Sequence, residues 1–297
     1  MTQQSLPSTL TGNRTLEILA KAEAGGYGVP AMTCYDAIAA VALVRAAERA
    51  KSPAILQLFP ITMHWGGEPF LAFCVNLAHS ASVPIAVHLD HATTEHDIDT
   101  ALTFAERGTA FDSIMVDASH ADTDEENLEE CRRHTARATK AGVAVEVELG
   151  RLEGGEAGLR VVSDAQLTND AKAERFMSES GATLLAPSIG NLHGKYINPP
   201  NFDLKLLSRL HAIVKKNNHY IALHGTDELP DQLWIDCVKA GARKFNINSW
   251  ARDPTMERIR SGLEKDEPLP DIYEAATEVY AGVCDKFFDL LGSRGKA

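Results

Sequence analysis

The stretch VPIAVHLDHATTEHD, residues 83–97, decides how the chain is read. It opens as an apolar run of the kind found in a strand buried on both faces of a parallel sheet. It closes by placing His88, Asp90 and His91 within four positions. A buried strand that ends in titratable side chains is what a sheet shows when its strand ends carry a site.

Similar runs recur on both sides of it. Bounded by turn residues, they are YGVPAMT (27–33), PAILQLF (53–59), PIAVHLD (84–90), SIMVDA (113–118), VAVEVEL (143–149), LLAPSI (184–189), YIALHG (220–225) and KFNINS (244–249), eight in all. Helix-length segments lie between them: DAIAAVALVRAAERAK (36–51), TEHDIDTALTFAERG (94–108), DTDEENLEECRRHTARATKAG (122–142), NDAKAERFMSESG (169–181), FDLKLLSRLHAIVKK (202–216) and PDQLWIDCVKAG (230–241). The 122–142 segment has acids at its start and bases toward its end, as the helix dipole favours. A leading helix, TLEILAKAEAGG (15–26), is expected to be capped by Thr15 and closed by Gly25 and Gly26. Eight βα units predict an α/β fold, a (β/α)8 TIM barrel with an N-terminal helix and a C-terminal helical extension; an open doubly wound sheet is the competitor. No linker or repeat splits the pattern, so residues 1–297 read as a single domain, with 1–13 as a flexible leader. The C-terminal DIYEAATEVYAGVCDKFFDLLGS (271–293) is amphipathic and is expected to pack on the barrel rather than on a second subunit.

Composition narrows the class. The 297 residues are 44% hydrophobic and 24% charged, and so can bury a sizeable core. The formal charge is -12 with basic residues scattered, which argues against nucleic acid and anionic membranes as partners. Five cysteines, odd in number and never in C-x-x-C, predict free thiols and a cytoplasmic location. The N-terminus has no apolar signal-like region, and no run approaches the ~18 apolar residues of a membrane span.

In a barrel all eight strand C-termini open onto one face, and there the polar residues gather. Strand three ends in Asp90 and His91, strand four in Asp117, strand five in Glu148; His193 follows strand six, His224 ends strand seven, and strand eight carries Asn246, Asn248 and Ser249. Any one of these histidines alone reads as structural. Three at corresponding strand ends can converge at about 2.0–2.1 Å on one Zn²⁺ and leave a coordination position open, the arrangement of catalytic zinc. Asp117 and Glu148 offer either an alternate metal position or hydrogen bonds to the ligands, and for Glu148 an interior salt bridge competes equally. Asp90, beside His91 on an apolar strand, is placed for proton transfer. Glu156 lies among Gly154, Gly155 and Gly158, in a loop able to close on a substrate, although an ordinary exposed glutamate fits as well. His88 shares the strand face of Asp90 and reads as an inner support.

The constellation resembles the class II, metal-dependent ketose-bisphosphate aldolases, which include the fructose- and tagatose-bisphosphate enzymes. The segments that carry the likeness are KSPAILQ, VHLDHATTEHDI, FDSIMVDASH, VEVELGRLEGGE, IGNLHGKY, LHGTDELP and GARKFNIN, in that order from about residue 14 to 290. The resemblance implies His91, His193 and His224 as zinc ligands, with Glu148 and Asp117 near the metal and room for a second or alternate metal position and a monovalent cation. It implies Asp90 as the acid/base at the C4 hydroxyl and Glu156 as the residue that protonates the zinc-stabilised enediolate. Gly194, Gly225, Asn246, Asn248 and Ser249 would surround a phosphate. The implied reaction is reversible cleavage of fructose or tagatose 1,6-bisphosphate to dihydroxyacetone phosphate and glyceraldehyde 3-phosphate, in the glycolysis branch of carbohydrate metabolism, by a homodimer.

The chain departs from the family pattern at several positions. Thr226, Asp227 and Glu228 follow the strand-seven His-Gly, where the family usually has a small residue, serine and glycine; Thr33, Leu58 and Ala157 also differ from the family's usual residues. An aspartate in place of a phosphate-cradling serine would repel a phosphate, so a singly phosphorylated or unphosphorylated ketose is the alternative substrate. A Schiff-base aldolase is disfavoured because no strand ends in lysine, with Lys244 at the opposite end of its strand. A metal-binding barrel that has lost turnover and serves as a scaffold is the non-enzyme alternative.

Overall fold

The computed structural model describes residues 6–154 and 165–297. Eight parallel strands close into a barrel: β1 (Val29–Thr33), β2 (Ala54–Leu58), β3 (Ile85–Ala92), β4 (Ser113–Val116), β5 (Ala144–Leu149), β6 (Leu184–Pro187), β7 (Tyr220–Leu223) and β8 (Ala242–Ile247). Each pairs with its neighbours in sequence, and β1 pairs with β8, Val29 opposite Lys244. All eight expected strands are present, and closure of the ring selects the barrel over the open sheet.

The helices are α1 (Arg14–Gly25), α2 (Ala37–Ala50), α3 (Pro60–His79), α4 (Glu95–Glu106), α5 (Asp124–Lys140), α6 (Asp170–Ser180), α7 (Leu204–Val214), α8 (Asp231–Ala240), α9 (Ser249–Glu264) and α10 (Leu269–Leu290). Local chemistry starts and stops them. Reciprocal capping boxes at Thr94/Asp97 and Thr123/Glu126 open α4 and α5. Two helices, α3 and α9, go beyond the sequence expectation. In α3, Gly67 leaves helical geometry and Pro69 follows it, so no single apolar stripe runs its length; α9 is weakly amphipathic and contains Pro254.

The expected cap of α1 needs correction. Asn13, not Thr15, is the N-cap, and its side chain accepts a hydrogen bond from the Leu16 N–H. Thr15 is buried and turned toward the barrel, with its Oγ1 2.9 Å from Ser113 Oγ. Asn13 also donates through Nδ2 to the carbonyls of Asp112, at 2.7 Å, and Gly142, at 3.1 Å. The stretch expected as a leader is packed at its end: Ser8–Leu10 form a 3-10 turn, and Leu10 is buried with Leu16, Ile18, Leu19 and Ala22 against the inward-facing Ala31, Ile55, Ala86, Ala144 and Leu184. Helix α1 thereby plugs the N-terminal end of the barrel.

Helix α10 covers α2, α9 and β1 with Ile272, Ala276, Tyr280, Cys284, Phe287 and Leu291, so most of the amphipathic stripe packs within the chain. Tyr273 of the same helix is exposed. Asn13→Ala removes both the cap and the two bonds to the loops after α4 and α5. It is expected to lower stability by about 1–3 kcal/mol in urea unfolding.

Candidate active site

Alternation along a strand should place Asp90 and His91 on opposite faces of the sheet. The structure avoids this with a bulge. Between β3 and β4 the register runs from Leu89 opposite Ile114 to Ala92 opposite Val116, so one extra residue is taken up on β3, and His91 has φ of 71°. A left-handed conformation at a non-glycine residue costs on the order of 1–3 kcal/mol and persists only where its surroundings fix it. The result is that both side chains reach the barrel mouth.

There His91, His193 and His224 each offer a ring nitrogen, all within 4.8 Å of one another. His91 Nε2 lies 3.0 Å from His224 Nδ1. The outer nitrogen of each of these rings meets a carboxylate: His91 Nδ1 with Asp117 at 2.8 Å and His224 Nε2 with Glu146 at 2.7 Å. Such contacts fix the tautomer and aim the other nitrogen inward, as in carboxylate–histidine–metal chains. His193 Nε2 is buried with no hydrogen-bond partner. It is carried by a short parallel pair, Glu153–Gly154 with Leu192–His193, in which a Cβ on Gly154 would run into the His193 carbonyl. Tyr196 accepts from the Leu192 N–H and donates to Gly225 O, tying this turn to the end of β7.

The electrostatics favour a cation. Burial opposes charge on His91, yet the Asp90, Asp117 and Glu148 carboxylates hold its pKa up at about 10. Burial, then the neighbouring His91 and His224 rings, push His193 down to about 3, which keeps it neutral as a ligand must be. Burial and the nearby Asp117 push the Glu148 carboxyl up. The donor set, the orphaned His193 nitrogen and the surrounding acids fit a divalent metal ion. His91, Asp117 and Glu148 form a second group of potential ligands within 4.8 Å of each other.

Below the histidines lies a layer of which the sequence reading had singled out only His88. Lys244, set aside there as lying at the wrong end of its strand, is fully buried and places Nζ 2.9 Å from Glu146 and 2.7 Å from Asn246 Oδ1. Glu146 alternates with Glu148 along β5, and that parity was the available signal. His88 sits in the same layer, with Nδ1 2.8 Å from Ser113 Oγ and burial pushing its pKa down to about 3. Asp90 Oδ2 accepts from Gln57 Nε2 at 2.7 Å and Asn246 Nδ2 at 2.9 Å, while Asp90 Oδ1 is buried and unpartnered. Burial works against the charged form of Asp90, but His91, His224 and Lys244 hold its pKa below the usual carboxylate range.

A narrow cleft opens beside these groups, with His193, His224, Gly225, Asp227, Asn246 and Asn248 in its wall. The side chain of Asn246, expected near a phosphate, is instead held between Asp90 and Lys244. Asn248 donates to Tyr35 Oη at 3.0 Å, and Ser249, the first residue of α9, donates its hydroxyl to Asp227. Gly225 has φ of 64°, and a Cβ there would strike the Leu192 backbone. Gly194 also has positive φ, 98°. Glu156 lies outside the described residues.

Strand-end imidazoles, each of two backed by a carboxylate and set beside a buried aspartate, make this a (β/α)8 barrel with a candidate metal site. The chain belongs to the class II fructose-bisphosphate aldolase family, whose profile matches residues 13–296, and it is thus a lyase by descent. A fructose-bisphosphate aldolase of Thermus caldophilus is 41% identical over 88% of this chain and 84% of its own length. One from Helicobacter pylori strain J99 is 34% identical over 94% of this chain and 98% of its own. Among solved structures, a Coccidioides immitis protein superposes with TM-score 0.91 at 32% identity, covering 97% of this chain and 99% of that one. The YdjI aldolase of Escherichia coli shares the fold, with TM-score 0.81 at 24% identity over 95% of this chain and 98% of its own.

Lys244→Met strands the buried Glu146 carboxylate and is expected to cost about 3–5 kcal/mol in chemical unfolding. Adding Glu146→Gln should recover a large part of that loss.

Proposed function

We propose that the protein is a zinc-dependent aldolase that reversibly cleaves the C3–C4 bond of a fructose- or tagatose-type ketose into dihydroxyacetone and glyceraldehyde fragments. The observation that carries this reading is the convergence of His91, His193 and His224 beside the free oxygen of Asp90. The relatives' names point the same way. Zinc in that position supplies Lewis-acid polarisation of the ketose carbonyl and stabilises the charge that develops there.

The residues of the chain do the rest. Gln57 and Asn246 hold Asp90 by one oxygen and leave the other to take the C4 hydroxyl proton as the bond breaks. Asp117 and Glu146 orient His91 and His224. Lys244 pairs with Glu146 beneath the site and, with His91 and His224, helps hold the pKa of Asp90 down against the effect of burial. The group His91, Asp117 and Glu148 supports an alternate metal position. Protonation at the carbon that leaves is assigned to Glu156 on the resemblance alone.

The same reading places the protein in the cytoplasm, supported by five free, buried cysteines. It includes a homodimer, supported by the exposed Trp65 and Ile61 on α3. Among the described residues no helix is long and apolar enough to cross a membrane.

Chelation should abolish cleavage in a coupled assay, and zinc should restore it; activity that survives metal-free dialysis would sink the metal mechanism. Asp90→Asn is expected to lower kcat by roughly 10²- to 10⁴-fold, with bound zinc unchanged by elemental analysis.

A further inference from the structure

We infer that Asp227 makes the cleft select a ketose that presents a hydroxyl, not a phosphate, to that wall, so that the substrate carries one phosphate or none. This deepens the aldolase reading and rests on it. Asp227 shares the cleft wall with Asp90, His193, His224 and Asn248, and among the described residues no lysine or arginine lines that wall. Its carboxyl accepts the hydroxyl proton of Ser249, the residue that begins α9.

A helix N-terminus facing a site ordinarily attracts a phosphate through its unpaired N–H groups and dipole. Here a carboxylate of the chain already stands at the start of α9 and engages its first hydroxyl. A phosphate carries close to two negative charges and would meet this anion across a poorly solvated gap. The cation that acts on Asp227 is Arg252, and its guanidinium lies 2.8 Å from Asp253; Glu228 and Asp253 add negative charge on the same side. Burial raises the pKa of Asp227, so its environment already disfavours negative charge. A sugar hydroxyl, by contrast, donates to a carboxylate, and Asn248 beside it in the wall is neutral.

The test uses zinc-loaded full-length protein with wild-type, Asp227→Asn and Asp227→Ser chains. The asparagine variant is isosteric and carries the experiment if the serine variant does not fold. Inorganic phosphate and dihydroxyacetone phosphate are titrated by calorimetry against dihydroxyacetone. Cleavage of fructose 1,6-bisphosphate is compared with that of fructose 1-phosphate, fructose 6-phosphate and fructose. We expect both variants to gain at least tenfold in phosphate affinity. We also expect wild-type kcat/KM to be at least tenfold higher on a ketose lacking a phosphate than on the bisphosphate, and Asp227→Ser to reverse that order. Equal phosphate affinity in all three chains, or wild-type preference for the bisphosphate, would overturn the inference. If no ketose is cleaved but removing the Asp227 charge still strengthens phosphate binding, the aldolase reading fails and the inference about Asp227 stands.

Discussion

A strand cannot aim two consecutive side chains at one side of a sheet unless its backbone breaks step, and the site depends on that break at His91. The left-handed turn at this residue brings Asp90 and His91 to the barrel mouth together. It is held from several directions: Asp117 grips one ring nitrogen, His224 faces the other, and Phe59 stacks on the ring at 6.2 Å between centroids. Straightening the strand would relieve the backbone but turn one of the two groups away from the interior. The strain and the chemistry are therefore one feature.

The second dependence is electrical. Glu146, Lys244 and His88 sit in a layer from which water is excluded, so each charge must find its counterpart within the protein. Lys244 answers Glu146, Glu146 orients His224, and Asn246 links the lysine to Asp90. The candidate metal ligand His224, the proposed proton acceptor Asp90 and the buried ion pair are thus contiguous, and a change at the floor reaches the mouth through two hydrogen bonds.

Much of this was legible in the sequence because buried parallel strands leave apolar runs and their C-terminal ends leave polar ones. The eight strands and the histidines at 91, 193 and 224 were read in that way. What escaped the reading was decided by tertiary geometry. Helix α3 was hidden because Gly67 and Pro69 break its periodicity. Lys244 was dismissed because strand position says where an α-carbon lies, while a four-carbon stem carries the charge a full layer upward. The bulge left no decisive sequence signal, since positive φ is uncommon at any non-glycine residue, histidine included, although histidine adopts it more readily than most. Thr15 sits beside the true cap and differs from it only in the direction its side chain takes. For Asp227 the sequence carried the charge but not its contact with Ser249.

The plug formed by α1 has a kinetic meaning. With Leu16, Ile18 and Leu19 filling the N-terminal end of the barrel, the site is, among the described residues, a well closed at its base. For the proposed cleavage, one opening would serve the substrate and both fragments, and the fragment seated deeper would leave after the one nearer the rim. Thr15, whose hydroxyl meets Ser113 and through it His88, makes the stopper of the well continuous with its chemistry.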